Sequence, residues 1–295
     1  MIRLLIPCLL LLLSATLQAA RPAPLRVVVA GDLAECKDQP AAQSPAARTA
    51  ALAARLLGKG GAILLPGDIT YPVGAATEYS ACWQPTWGAL SARVIPAPGN
   101  HDYATAEAAA YFDFFGANAG PDRRGYYSLD LGSWHIVSLN SQLQATAATA
   151  QLEWLRADLA RARGKHTCLL ALWHYPVFSS GLHGNNPTMR PALAMLQDAG
   201  ADLILNGHDH HYERFGHLAT DGSVNPRAPR QFVVGTGGAG LYPLSTRQPG
   251  SEAAITHEHG VLLLTLGASD YSWAFHGLGS TSPLDSGKDP CLSKP

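Results

Sequence analysis

Seven side chains of metal-binding type follow apolar segments of the chain. They are Asp32, Asp68, Tyr71, Asn100, His174, His208 and His210. Carboxylates, amide oxygens, phenolates and imidazoles are donor groups that proteins use to bind metal cations, and histidine is the commonest of them. His208 and His210 are only two residues apart, on a turn opened by Gly207, so both imidazoles can point into one small volume. The pattern predicts a metal site.

Five apolar runs precede these side chains and are typical of buried strands. They cover residues 25–30, 62–66, 93–98, 167–173 and 201–205. In open α/β sheets, ligands bind beyond the carboxyl ends of the strands. A Gly-Asp pair after one strand is most often only a turn. Five strand ends that all supply donor groups favour convergence at one sheet edge.

The number of donor groups suits two cations better than one. Asp32, Tyr71 and His210 can hold one cation, and Asn100, His174 and His208 can hold a second. Asp68 would then bridge the two. Two cations roughly 3.5–4 Å apart stabilise both the attacking and the leaving oxygen of an in-line displacement. The pattern therefore predicts hydrolysis of a phosphate ester by a hydroxide that bridges the two metals.

The remaining segments predict an alternation of helices and strands in one domain, residues 21–295. Helices are expected at about 45–58, 104–116, 147–163 and 189–199, and further strands at 125–131, 134–140, 231–235, 261–266 and 271–275. The tail after Gly277 is rich in Gly, Ser and Pro and is expected to be irregular. No internal repeat or change of composition indicates a second domain.

Composition and net charge limit the classes of binding partner. Net charge is −1 and no run of Lys or Arg occurs, so neither nucleic acid nor an anionic membrane is expected to bind. The expected partner is a small phosphorylated substrate, attracted by bound cations. The sequence indicates no oligomeric state.

The first twenty residues predict a secretory signal peptide. Arg3 precedes the apolar run 4–13, and small residues lead to a cleavage site after Ala19 or Ala20. A membrane anchor is the alternative, but the run is short for a span of roughly 20 residues. A secreted or periplasmic protein with no membrane attachment after cleavage is expected.

Four cysteines remain after the predicted leader: Cys36, Cys82, Cys168 and Cys291. An even number in an exported protein favours disulfides, and three pairings are possible. We favour Cys36–Cys82, because each follows a motif at the same predicted sheet edge, which leaves Cys168–Cys291. Buried free thiols are the alternative. A cysteine metal site is not expected, because no CxxC spacing occurs.

The order of the motifs resembles the calcineurin-like metallophosphoesterase superfamily. The motifs are GD at 31–32, GDxxY at 67–71, GNHD at 99–102, a lone His174 after a strand, and GHxH at 207–210. Tyr71, three residues after Asp68, and the segment 207–214 (GHDHHYER) are similar to the purple acid phosphatase branch, which has GHxHxYER. The resemblance covers about residues 25–276.

The resemblance implies an α/β fold with a four-layer α/β/β/α sandwich and a dinuclear metal site. It implies Fe(III) at Asp32, Asp68, Tyr71 and His210, and a divalent Fe, Zn or Mn ion at Asp68, Asn100, His174 and His208. The implied activity is that of an exported phosphatase acting on phosphate monoesters. A phosphodiesterase or nucleotidase on the same site is the alternative, and a binding protein on an inactive scaffold is a third hypothesis.

Two further histidines are candidates for substrate contact. His101 follows Asn100 and is expected to point past the metals, where it would bind phosphate or protonate the leaving group. His183 lies in a loop rich in Gly, Ser and Asn, where the family places substrate-binding histidines. Asp102 is expected to orient His101 from behind. Surface or structural roles are the alternatives for both histidines.

Overall fold

The computed structural model describes residues 23–292 and 294, which form two β-sheets with helices on their outer faces. The strands are β1 (Leu25–Val29), β2 (Ala62–Pro66), β3 (Val94–Ala97), β4 (Tyr127–Leu131), β5 (Trp134–Ser138), β6 (Cys168–Leu172), β7 (Leu203–Asn206), β8 (Tyr212–His217), β9 (Arg230–Val234), β10 (Ser251–Ile255), β11 (Gly260–Leu266), β12 (Asp270–Gly277) and β13 (Asp285–Pro290). The α-helical segments are α1 (Pro45–Leu57), α2 (Ala76–Glu78), α3 (Gln84–Thr86), α4 (Ala109–Phe115), α5 (Ala145–Ala162) and α6 (Arg190–Asp198).

Within the described ranges, the strands form a six-stranded and a seven-stranded sheet. The six-stranded sheet has the order β13-β12-β11-β1-β2-β3, and the seven-stranded sheet has the order β10-β8-β9-β7-β6-β5-β4. β1, β2 and β3 are mutually parallel, as are β5, β6, β7 and β9. The carboxyl ends of the parallel strands therefore share one edge in each sheet.

The core has three parts, one for each interface between four layers. Val27 and Val29 of β1 pack between the two sheets, while Val28 packs on the outer side among residues of α1 and α4. A third cluster joins the outer face of the seven-stranded sheet to α5 and α6. Every β1 valine is thus buried, as a strand covered on both faces requires. The predicted α/β/β/α sandwich is confirmed.

The predicted helix at about 45–58 is α1, whose amino end has the expected capping residues. The Ser44 hydroxyl accepts a hydrogen bond from the Ala47 N–H at 3.2 Å, and Pro45 begins α1. The predicted helix at 104–116 is correct only from Ala109 onward. Glu107 and Ala108 have φ angles of 54° and 50°, which an α-helix cannot include, and 3-10 turns replace its first part.

The prediction of an irregular tail is wrong, because β13 pairs antiparallel with β12. Its sequence, DSGKDP, has no strand propensity. Ion pairs stabilise it instead: Arg214 Nε donates to Asp285 at 2.8 Å, and Arg230 Nε donates to Asp289 at 2.8 Å. Tertiary contacts thus determine the conformation of this segment.

Two disulfides, Cys36–Cys82 and Cys168–Cys291, confirm the favoured pairing. The second joins the start of β6 to the residue after β13. The predicted leader, residues 1–20, lies outside the described residues. Across residues 23–292 and 294, no helix has both the length and the apolar character that crossing a bilayer requires.

Candidate metal centre

The predicted ligands meet where the carboxyl edges of the two sheets lie side by side. One group surrounds the Tyr71 hydroxyl, which donates to Asp32 Oδ1 at 2.9 Å and to Asp68 Oδ2 at 3.2 Å. The same hydroxyl lies 3.1 Å from His210 Nε2. Asp32 follows β1, Asp68 follows β2 and His210 follows β7. Four donor side chains from both sheets therefore converge on one point.

A second group shares Asp68 with the first. His174 Nε2 lies 3.2 Å from Asp68 Oδ2 and 3.0 Å from Asn100 Oδ1. The ring of His208 is adjacent, with its centroid 5.0 Å from that of His174. Asp32, Asp68 and His174 have ligand atoms within 4.8 Å of one another. The structure thus brings all seven residues together, in two groups joined by Asp68.

The backbone is strained at three of these positions. Asp32, Asp68 and His208 have φ angles of 57°, 52° and 75°. Residues other than glycine rarely adopt positive φ, and such strain concentrates at functional sites. The His208 N–H also donates to Asp32 Oδ2 at 2.9 Å, which ties the β7 turn to the β1 turn.

Glycines permit the close approach of these turns. Gly67 has φ of 94°, and a Cβ there would lie 2.5 Å from His174 Nδ1. A Cβ on Gly99 would overlap the carboxylate of Asp68. Close packing therefore explains glycine at both positions, and the positive φ explains it further at Gly67.

Backbone carbonyls orient two of the imidazoles. His174 Nδ1 lies 2.9 Å from the Pro66 carbonyl oxygen, and His210 Nδ1 lies 2.7 Å from that of Gly240. An Nδ1–H that donates to a carbonyl leaves the Nε2 lone pair facing the other donor atoms, as metal-bound histidines require. The converging set holds only oxygen and imidazole nitrogen, which suits iron, zinc and manganese.

The buried charges favour a cation at this position. Burial opposes ionisation of Asp68, but His174 and His101 lower its pKa below the usual value. Burial would lower the pKa of His174, yet Asp68 and Asp32 raise it to about 9. Burial and the same two carboxylates raise the pKa of Tyr71 well above its usual value. The raised pKa values of His174 and Tyr71 reflect the negative charge of Asp32 and Asp68, and the lowered pKa of Asp68 reflects its pairing with the two histidines.

Asp102 does not orient His101, and that prediction requires correction. The carboxylate of Asp102 is fully buried and accepts from the N–H groups of Asp68, Ile69 and Gly99 at 3.1, 3.2 and 2.8 Å. Burial and the charge of Asp68 raise its pKa to about 7. His101 Nδ1 lies instead 2.6 Å from the Pro72 carbonyl oxygen. Asp102 therefore supports the turns after β2 and β3.

The two candidate substrate histidines contact different members of the centre. The His101 side chain is 35% exposed, with Nε2 3.9 Å from Asp68 Oδ2. His183 is exposed, and its ring stacks on His208 with centroids 4.3 Å apart. The backbone N–H of His183 donates to the buried Asp209 at 3.0 Å, which fixes the loop. Both rings are placed where a substrate could reach them.

Several contributors were not predicted. Tyr242 stacks on His210 with ring centroids 4.6 Å apart, and its hydroxyl donates to the His208 carbonyl oxygen at 3.0 Å. Tyr175 lies beside His208, with centroids 4.5 Å apart. Glu213 accepts from the Ser180 N–H at 2.9 Å and so secures the His183 loop. Tyr242 lies shortly after the glycine-rich segment 235–240, and this segment is a sequence signal that could have indicated a turn close to the centre.

Comparison with known proteins agrees with this geometry. The sequence model for calcineurin-like phosphoesterases matches residues 23–212. The chain therefore belongs to the calcineurin-like phosphoesterase family. Within that family, the predicted resemblance to the purple acid phosphatase branch is confirmed by several relatives. Purple acid phosphatase 22 of Arabidopsis thaliana is 29% identical over 249 residues, which are 75% of this chain and 55% of that protein.

The chain spans about half the length of such relatives. It covers 40% of purple acid phosphatase 15 of Arabidopsis thaliana, at 29% identity over 211 residues and 60% of this chain. Among solved structures, purple acid phosphatase PPD1 from yellow lupin has a TM-score of 0.76 at 19% identity, covering 91% of this chain and 54% of that chain. GAP50, described as the anchor in the inner membrane complex of Plasmodium, has a TM-score of 0.73 at 13% identity, covering 92% and 90%. These structures share the fold, and the site described above is of the dinuclear kind typical of purple acid phosphatases.

Proposed function

We propose that the protein is a metal-dependent hydrolase of phosphate monoesters, similar to purple acid phosphatases. One observation carries the proposal: two groups of donor side chains share the buried carboxylate of Asp68. The fold alone would not support this activity, because one fold can host many functions. The similarity to purple acid phosphatases, which spans about half of their length, supports the same activity class.

Two metal ions would be held by side chains that the structure brings together. Asp32, Asp68, Tyr71 and His210 suit Fe(III), because a phenolate and carboxylates are hard, anionic donors. Asp68, Asn100, His174 and His208 would hold a divalent iron, zinc or manganese ion. When bound, such a pair supplies Lewis acidity and the bridging hydroxide nucleophile for phosphate ester hydrolysis.

His101 and His183 would bind the phosphate group from opposite sides. The Pro72 carbonyl and Asp68 fix the ring and the backbone of His101. When the ring carries a proton on both nitrogens, its partly exposed Nε2 can donate to a substrate oxygen or protonate the leaving group. Stacking on the His208 ring and the hydrogen bond from its own backbone N–H to Asp209 would hold His183 in position. Asp102 would act indirectly, by holding the turn that carries Asp68 in its strained conformation.

A phosphodiesterase or nucleotidase is the second candidate, because the same donor groups would serve it. Pocket loops decide how large an alcohol group is accepted. The exposed side chains of His183 and Leu182 leave this side of the centre open to solvent. An inactive binding protein is a third candidate, which the complete set of donor groups disfavours.

The comparison of two chromogenic substrates tests the assignment. We expect kcat/KM for p-nitrophenyl phosphate to exceed that for bis-p-nitrophenyl phosphate by tenfold or more, in protein loaded with iron and zinc. A preference for the diester would replace the leading assignment with a phosphodiesterase. Hydrolysis of neither substrate by metal-loaded protein would favour a binding role.

We further propose export through a signal peptide at residues 1–20, followed by one catalytic domain at 21–295. The two disulfides support an oxidising compartment, because such bonds persist in secreted and periplasmic proteins. N-terminal sequencing of exported protein checks this, with a start at residue 20 or 21 expected. An intact leader on the exported protein would contradict cleavage.

A further inference from the structure

A second cluster of histidine and carboxylate side chains lies at the opposite edge of the seven-stranded sheet. His135 of β5 and His166, which precedes β6, stack with ring centroids 5.2 Å apart. Asp130 Oδ1 lies 2.7 Å from His135 Nδ1 and 3.2 Å from His166 Nε2. The five residues of β6 separate His166 from the segment that holds His174, a distance of about 16 Å at 3.3 Å per residue. The cluster is therefore distinct from the candidate metal centre.

Asp158 supports the cluster from behind. Its Oδ2 lies 2.8 Å from His135 Nε2, and its side chain is only 5% exposed. Ser128 Oγ and Arg161 Nη2 donate to its other oxygen at 2.7 and 2.9 Å. A carboxylate that fixes the far nitrogen of a histidine is the usual second layer of a metal site.

We propose that Asp130, His135 and His166 bind a zinc-like divalent cation. The donor atoms would be Asp130 Oδ1, His135 Nδ1 and His166 Nε2, which lie within 4.8 Å of one another. Two imidazoles and one carboxylate form a known zinc donor set that leaves a fourth position open. Ligand atoms around tetrahedral zinc are about 3.4 Å apart, given bonds of about 2.1 Å. The side chain of Asp130 is 56% exposed and can make the small outward shift required.

A hydrogen-bonded network without a metal explains the cluster less completely. His135 already satisfies both nitrogens with Asp130 and Asp158. His166 adds a second imidazole aimed at the same Asp130 oxygen, while its Nδ1 is buried without a hydrogen-bond partner among the described residues. A cation bound by Asp130 Oδ1, His135 Nδ1 and His166 Nε2 would give both imidazoles a common partner in place of one shared oxygen.

An adjoining cavity can supply the fourth ligand. It has a volume of about 370 Å³ and is lined by His135 and His166, together with Arg156. Arg156 is exposed and positively charged at any relevant pH. A water molecule or a small anion can therefore enter the cavity and complete the coordination of the cation.

Equilibrium dialysis of the metal-loaded protein against micromolar Zn(II), followed by metal analysis, tests this site. We expect the wild-type chain to bind one more zinc ion than His166→Ala and Asp130→Asn. His257→Ala removes an exposed histidine elsewhere and should bind as the wild type does. Phosphatase activity should be equal in all four proteins, because none of the changed residues lies at the candidate metal centre.

The outcome decides the proposal either way. Equal zinc binding by wild type, His166→Ala and Asp130→Asn would overturn it. If His166→Ala does not fold, Asp130→Asn still decides, because that carboxylate is exposed and its amide is isosteric. The result is independent of the phosphatase assignment, since an inactive protein would still gain or lose this one zinc ion.

Discussion

Asp68→Asn should abolish most hydrolysis of p-nitrophenyl phosphate, with a loss in kcat on the order of 10³-fold. Asp68 joins the two donor groups, and its side chain is only 1% exposed. The amide keeps the shape but removes the negative charge that bridges two cations. Metal ions supply several kcal/mol of transition-state stabilisation, and about 1.4 kcal/mol corresponds to each tenfold in rate. Steady-state kinetics and metal analysis of the variant measure both effects.

Asp113→Asn is the matched control for this change. Asp113 pairs with Arg123 at the surface, and its side chain is 70% exposed. A surface ion pair of this kind contributes little to stability, so activity and metal content should remain at wild-type levels. Activity of Asp68→Asn within tenfold of wild type would rule out the shared-carboxylate mechanism.

Gly67→Ala should reduce activity by about 10²-fold while the protein still folds. Gly67 has φ of 94°, and the new Cβ would lie 2.5 Å from His174 Nδ1. His174 is fully buried between Pro66 and Asp68, and the new Cβ would also lie 2.8 Å from His174 Cβ, so relief of the overlap must displace this residue. A displacement of about 1 Å at a catalytic group can cost on the order of 10²-fold in rate. Steady-state kinetics with added zinc measures the loss.

Gly58→Ala separates backbone strain from this steric effect. Gly58 also has a positive φ, 62°, but a Cβ there meets no atom within 4 Å. Backbone strain should cost both variants about 1–2 kcal/mol in the free energy of unfolding, because alanine disfavours the left-handed region. Gly67→Ala should lose about 1–3 kcal/mol more from its overlap with His174. Only Gly67→Ala should lose activity. If activity fell equally in both variants, or fell in neither, contact between the new Cβ at position 67 and His174 would be unimportant for catalysis.

The sequence predicted the candidate site best where side chains of metal-binding type follow the ends of strands. Each donor side chain lies within five residues of the carboxyl end of a mostly apolar strand, and the carboxyl ends of parallel strands bring these side chains together. The apolar run of β1 likewise predicted a buried strand, whereas the four-layer arrangement was implied by the family resemblance. These features depend on local patterns, which can be read from the chain alone.

The features that were missed depend on distant contacts. β13 is polar and becomes a strand because Asp285 accepts from Arg214 and from the Tyr212 hydroxyl, at 2.8 and 2.6 Å. The same contacts assign a structural role to Tyr212 and Arg214, which follow the metal-binding turn. No sequence pattern links Asp102 to its hydrogen-bond partners. Only the fold shows that its carboxylate holds the turn at Asp68.

The proposed function depends on two metal ions, one on either side of Asp68. The most direct test is a crystal structure of metal-loaded protein with anomalous difference maps collected at the iron and zinc edges. We expect two peaks about 3.5–4 Å apart, with the iron peak beside Tyr71 and His210 and the second beside His174 and His208. A single peak, or none next to Asp68, would contradict the dinuclear site.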